Sequence, residues 1–221
     1  MTKIYSILVV NFKGGCGKTT ISTNLASYFS NAGLKTVLFD FDRQRSSLRW
    51  LDRRSDKQPG IEGVTGWGVR RYPEGTECVI MDAPAQLDKK ELLVLIARAD
   101  KVIIPVLPSP IDIDAAADFI GTLLVHGKVR DRGKSVCVVA NRVRANTLVY
   151  GRLLKFLKTL NIPFVASLRD TQNYIHAVEK GIGIFELPPS FVADDISRWE
   201  PLIKWIEDDM PGPGMSYATS S

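Results

Sequence analysis

The chain has 221 residues, 45% of them hydrophobic, and carries 29 Lys or Arg against 24 Asp or Glu, a formal charge of +5. This suits one large α/β domain with a substantial buried core. No apolar run reaches the roughly 18 residues of a membrane-spanning helix, and the N-terminus lacks the apolar stretch of a signal peptide. Cys16, Cys78 and Cys137 lie far apart with no C-x-x-C pair, which argues against a disulfide framework or a zinc site and fits a reducing cytoplasm.

In chain order, the segment 3–10 is rich in Ile, Leu and Val and reads as a buried strand. A glycine-rich loop follows. Ile21, Leu25, Tyr28, Phe29 and Ala32 then recur at helical spacing until Gly33 stops the helix. "TVLFD" (36–40) is a short apolar run ending in acid, and helical spacing follows over 47–54 until the Pro59-Gly60 break. "CVIMD" (78–82) is another strand ending in acid. Helices are predicted over 87–99, 114–125, 147–160 and 171–180, and strands over 101–107, 135–140 and 162–166. Ile196, Trp199, Ile203 and Ile206 mark a last amphipathic helix, and the stretch from Pro211 reads as a disordered tail.

Strands alternating with helices predict a mostly parallel, twisted sheet with helices on both faces, a single domain over 1–210. Ligands of such sheets bind at the carboxyl ends of the strands, where the acids and glycines of this chain gather.

The loop "NFKGGCGKTT" (11–20) is the most specific motif. Gly14, Gly15 and Gly17 allow close approach of backbone to an anion, and the helix that opens near Gly17 favours phosphate. Lys18 is placed to reach the β- and γ-phosphates of a nucleotide, and the Thr19 hydroxyl to bind Mg²⁺, with Cys16 and Thr20 completing the cradle. The usual pattern G-x-x-x-x-G-K-[ST] needs glycine where this chain has Phe12, and a second lysine, Lys13, stands five residues before Lys18. Asp82 suits the carboxylate that holds the metal, Asp42 the group that orients the attacking water, and Asp40 a position nearer the metal; helix N-capping is the competing role for Asp40 and Asp42.

K-G-G-x-G-K-T-T, then D-x-D, then D-x-P resembles the ParA/MinD family of deviant Walker ATPases, over nearly all of the chain before Pro211. The resemblance implies a P-loop NTPase that takes ATP and Mg²⁺. It implies that Lys13 crosses a homodimer interface to the nucleotide of the partner, so that Lys13, Lys18 and Asp42 serve catalysis. It also implies that Asn141 contacts adenine. "SLRDTQNY…GIGIFELPPS" is similar to the small partition-type members, which lack an added N-terminal DNA-binding domain; none is expected before Lys3. Two positions depart from the family. Arg43 follows Asp42 where proline is common, and Cys16 replaces a common valine. A helix N-terminus can lower a thiol's pKa, which makes Cys16 a candidate for alkylation; inert packing is the simpler expectation.

Between Lys128 and Lys158 nine Lys or Arg face one acid, Asp131, a local +8 that leaves −3 for the rest of the chain. Arg142, Arg144, Arg152, Lys155 and Lys158, extended by Arg169, are candidates for nonspecific double-stranded DNA; a solvated basic face is the simpler alternative. The resemblance then implies a nucleoid-associated cytoplasmic ATPase. It would position or partition a plasmid or a protein compartment such as a carboxysome, with hydrolysis stimulated by a ParB- or McdB-like partner. A MinD-like membrane ATPase and a ligase of the dethiobiotin synthetase kind are the alternatives. The acidic end of the last helix, "WIEDD", argues against a membrane.

Overall fold

The computed structural model describes residues 3–69, 71–126 and 135–210; part of the basic run and the tail from Pro211 lie outside them. The order is β1 (Tyr5–Val9), α1 (Lys18–Asn31), β2 (Thr36–Asp40), α2 (Ser46–Leu51), β3 (Ile61–Thr65), β4 (Cys78–Asp82), α3 (Lys89–Arg98), β5 (Lys101–Val106) and α4 (Pro110–His126). It continues with β6 (Ser135–Val143), α5 (Leu148–Leu157), β7 (Phe164–Arg169), α6 (Asn173–Glu179) and α7 (Pro189–Glu207). The strands form one seven-stranded sheet in the order β3-β2-β4-β1-β5-β6-β7, and every pairing is parallel.

The central strands are buried on both sides, which is why they read as continuous apolar runs rather than as alternating ones. Leu8, Phe39, Val79 and Met81 point to one face and pack in the same core as Leu92 and Leu95 of α3, Phe119 of α4 and Leu153 of α5. Ile7, Val9, Leu38 and Ile80 point to the other, with Ile21, Leu25 and Phe29 of α1 and Trp199, Leu202 and Ile206 of α7. The apolar face of α7 is thus core. Its end is fixed by the Tyr5 hydroxyl donating to Ile206 O at 3.0 Å and by the buried Lys101 paired with Asp209. Among the described residues no helix is long and apolar enough to cross a membrane.

Register positions the site. Asp40 ends β2 directly opposite Asp82 of β4, and Asp82 lies opposite Val9, from which the glycine loop departs.

The structure differs from the expected pattern in three places. β3 has no counterpart in the sequence reading, because an edge strand exposed along most of its length, "IEGVT", carries no apolar run. Ile61 and Val64 are only partly buried against the core, and a Cβ on Gly63 would collide with Leu48 and Leu51 of α2. β6 and β7 continue to Val143 and Arg169 through a register shift, with Arg142 in the left-handed region at φ 50°. α7 starts at Pro189, much earlier than its apolar marks suggest, and retains Pro201 inside.

Candidate functional site

The loop between β1 and α1 is built by backbone geometry. Gly15 and Gly17 have φ of 77° and 92°, in the left-handed region that only glycine adopts without strain. Gly17 caps α1, and neither a side-chain cap nor an acid in the first turn satisfies the first N–H groups of that helix. Those free N–H groups and the positive end of the helix form an anion site. The base of the loop is fixed by Asn11, whose Nδ2 donates to Pro105 O at 2.7 Å while its Oδ1 accepts from Lys13 N at 3.0 Å. Phe12 packs its ring against Phe119 of α4, 4.6 Å between centroids, so the phenylalanine anchors the loop on its outer side.

The two lysines are placed differently. Lys18 is buried, and its Nζ donates to Lys13 O at 2.9 Å across the concavity of the loop. Lys13 is part-exposed, and its ammonium makes no hydrogen bond or ion pair among the described residues.

Thr19 Oγ1 donates to Asp82 Oδ2 at 2.8 Å, and Ser22, one turn further along α1, donates to Asp82 Oδ1 at 3.2 Å. Asp82 is 1% exposed. Burial is the main cause that pushes its pKa from 3.8 up to about 7, reinforced by the carboxylate of Asp40 and opposed by Thr19, Ser22 and Lys18. A buried carboxylate and an adjacent threonine hydroxyl are a donor set suited to Mg²⁺ with retained waters.

Asp40 is brought beside Asp82, but both its oxygens are engaged within the chain. Oδ1 accepts from Asp42 N at 2.9 Å, and Oδ2 from Ser47 N, Ser47 Oγ and Leu48 N at 3.0, 2.7 and 3.2 Å. The capping role therefore has the geometric support, and Asp40 acts on Asp42 by holding its backbone. Asp42 is half-buried, with Oδ1 accepting from Gln44 N at 2.9 Å. It lines a cavity of about 700 Å³ with Arg43, Gln44, Trp67, Ala85 and Gln86. A Cβ on Gly14 would stand 3.9 Å from Ala85, so this cavity adjoins the glycine loop.

Asn141, at the end of β6, is buried and donates from Nδ2 to Cys16 O at 2.9 Å. It braces the loop from beneath. The Cys16 thiol is itself buried, 3.2 Å from Lys13 O and 3.9 Å from Lys18 Nζ. Burial raises its pKa against the lowering effect of Lys18 and nearby N–H groups, which favours the expected packing role over an activated thiol. Cys78 and Cys137 are buried in β4 and β6. Thr20 lines a small cleft between α1 and α2.

The basic candidates divide into two sets. Arg142, Arg152, Lys155 and Lys158 are exposed, the last three on the side of α5 opposite its buried Leu153 and Leu157. Arg144 pairs with Asp170 at 2.7 Å, and Arg169 with Asp195 and Asp194 at 2.8 and 3.3 Å. These partners neutralise charges that the sequence alone counts as free. Sequence reasoning did not find Asn11, Ser22 or Ser47. The spacing of Thr19 and Ser22 on one helix face is the signal that could have revealed Ser22.

The profile of the CobQ/CobB/MinD/ParA nucleotide binding domain matches residues 7–184. The chain is 31% identical over 189 residues to the maintenance of carboxysome distribution protein A of Gloeobacter kilaueensis, covering 81% of this chain and 83% of the relative. It is 28% identical over 193 residues to the protein of that name from Halothiobacillus neapolitanus, covering 84% and 88%. Among solved structures, an ATP complex of a variant Cyanothece McdA superposes with a TM-score of 0.72 at 14% identity, over 97% of this chain and 100% of the other, a likeness of fold. The glycine loop, the acids at the ends of adjacent parallel strands and the matched profile lead to one assignment: the chain belongs to the CobQ/CobB/MinD/ParA family of nucleotide-binding ATPase domains.

Proposed function

We propose that the chain is an ATP-dependent dimerising ATPase that binds nucleoid DNA without sequence preference and positions a protein compartment, the carboxysome being favoured over a plasmid by the two relatives named for carboxysome distribution. The observation that carries this reading is the contrast between the two lysines. Lys18 is folded into its own loop, whereas the Lys13 ammonium is left without a partner among the described residues. Two ammonium groups in one loop repel each other unless polyphosphate lies against both. A second copy facing the loop supplies such phosphate, so Lys18 serves its own ATP and Lys13 that of the neighbour.

In this reading the N–H groups of Gly14, Gly15 and Gly17 receive the phosphates, and Asp42 orients the attacking water. Asp40 keeps Asp42 in place. Thr19 and Asp82 hold Mg²⁺, which when bound supplies positive charge to the terminal phosphates. Asn141 steadies the loop and stands at the strand end where a base would lie. Exposed Arg142, Arg152, Lys155 and Lys158 contact DNA phosphates, and a dimer doubles the charges offered to one duplex. A partner protein of the ParB or McdB kind stimulates turnover. Burial of the apolar face of α7 in the core supports a reading in which that helix does not bind a membrane.

ATP turnover measured with and without random-sequence duplex, at low and at raised salt, tests this. Turnover and duplex retention that both depend on ATP and weaken with salt are expected. A protein that hydrolyses ATP with no response to DNA and no DNA retention at low salt contradicts the DNA role and returns the ligase-like alternative.

A further inference from the structure

α2 and the residues flanking it carry a second basic surface, distinct from the DNA contacts on β6 and α5. Arg45, Arg49 and Arg53 recur every four residues, and all three are exposed. None makes an ion pair or side-chain hydrogen bond among the described residues. Arg54, the next residue, shows the contrast: its side chain is buried and bonds Glu186 at 2.6 Å. Arg49 and Arg53 form one wall of a cleft of about 260 Å³, closed on other sides by Thr19, Thr20, Thr23, Ser46, Trp50 and Val178, so that it adjoins the nucleotide loop at Thr19. Thr23 spends its hydroxyl proton on Thr19 O at 2.9 Å, but guanidinium groups sharing a cleft with the Thr20 and Ser46 hydroxyls are chemistry for a carboxylate or a phosphate.

This surface is remote from the proposed DNA contacts. α2 packs over β2 and β3 at one edge of the sheet, whereas Arg142 and α5 belong to β6 at the other. It is also tied to the catalytic loop. Ser47 and Leu48 of α2 donate to Asp40, whose other oxygen holds Asp42 N. A displacement of α2 therefore reaches Asp42 through the Asp40 carboxylate, and also through the short connection 43–45, where Arg45 N donates to Asp42 O at 3.0 Å.

We infer that the arginine row of α2 docks an acidic segment of a protein partner and transmits that contact through Asp40 to Asp42. An acidic segment is favoured over a duplex for two reasons. The cleft between Arg49 and Arg53 is concave and of a size to take a side-chain carboxylate. Exposed Asp52 and Asp56 stand in the same segment and repel a rod bearing a negative charge about every 1.7 Å, whereas a short flexible chain can avoid them. The docking does not depend on the positioning reading; the effect on turnover does.

The test uses the full chain with a fluorescein-labelled Glu-rich peptide and a labelled random-sequence duplex. The peptide is expected to bind at low salt. The Arg49→Glu/Arg53→Glu variant should lose about tenfold or more in peptide affinity and keep duplex affinity within about twofold. Arg49→Gln/Arg53→Gln, which cannot introduce repulsion within α2, should show a smaller loss of the same sign. The peptide should also change ATP turnover of the unmodified chain and not of the variants. Equal peptide affinity in all three proteins, or no peptide binding at all, overturns the site. Parallel loss of peptide and duplex assigns the row to nucleic acid instead. Peptide binding with unchanged turnover overturns the coupling through Asp40 while leaving the docking intact.

Discussion

The Asn141 amide fills the place that a Cβ on Gly17 would take: its Nδ2 donates to Cys16 O at 2.9 Å, and a Cβ on Gly17 would overlap that amide. Gly17 also sits at φ 92°. Gly17→Ala should therefore suffer twice, from roughly 1–2 kcal/mol of left-handed strain and from displacement of Asn141. Asn141→Ala removes a buried hydrogen bond of roughly 1–3 kcal/mol and at the same time makes room. The double variant should be less damaged than the sum of the single ones, read by thermal melts and by nucleotide affinity. Strict additivity would mean that the two residues do not share this space.

Asp82 gives the metal-free protein a definite pH response. Its folded pKa, about 7, lies above its ordinary 3.8. The folded state therefore holds the proton between those values, and stability falls as pH rises through them, reaching its lowest level above about 7. Asp82→Asn should flatten this slope and raise the melting temperature at pH 8 without Mg²⁺. It should also abolish the stabilisation by Mg²⁺ and nucleotide. A metal-free chain whose stability does not change between pH 5 and pH 8 would contradict the burial argument.

The Arg54–Glu186 pair behaves in the opposite sense. Burial alone would raise the Glu186 pKa, but the Arg54 guanidinium, the Gly183 N–H and Asn31 outweigh it and hold the carboxyl below its ordinary 4.5. The stability it contributes is present above that value and is lost as pH falls through the depressed one. Both side chains are almost fully buried, so Glu186→Gln should cost roughly 3–5 kcal/mol at neutral pH in a denaturant titration. The gap from the unmodified chain should narrow in acid.

DNA binding should separate the basic residues by ion pairing. Arg152→Glu/Lys155→Glu alters two exposed charges on the outer side of α5. It should lower duplex affinity and reduce the salt slope by roughly 0.9 for each phosphate that is no longer neutralised. Arg169→Ala removes a group held by Asp194 and Asp195. It should lower stability and leave the salt slope nearly unchanged. Equal effects of the two changes on the slope would mean that the acidic partners release Arg169 to DNA.

The central strands and their terminal acids were legible in the sequence because buried parallel strands are continuous apolar runs, and "TVLFD" and "CVIMD" end where the site begins. The glycine loop was legible because Gly15 and Gly17 have backbone angles that no other residue adopts cheaply. β3 was not, since an exposed edge needs no apolar run. The engagement of Asp40 was legible only as the alternative role of helix N-capping, because its partners Ser47 and Leu48 return to it only when α2 folds back over β2. The pairing of Arg169 with Asp195 was not legible, since the two lie 26 residues apart and meet only when α7 packs on β7. Local rules see spacing; they do not see which charges tertiary packing pairs.

The central claim is that two copies close around nucleotide, each giving Lys13 to the other. The measurement that tests it most directly is sedimentation equilibrium of the unmodified chain and of Lys13→Ala, each with ATP and Mg²⁺. An ATP-dependent dimer is expected for the former and a monomer that still binds nucleotide for the latter. A variant that dimerises with ATP as the unmodified chain does, or an unmodified chain that stays monomeric at saturating ATP, would contradict the claim.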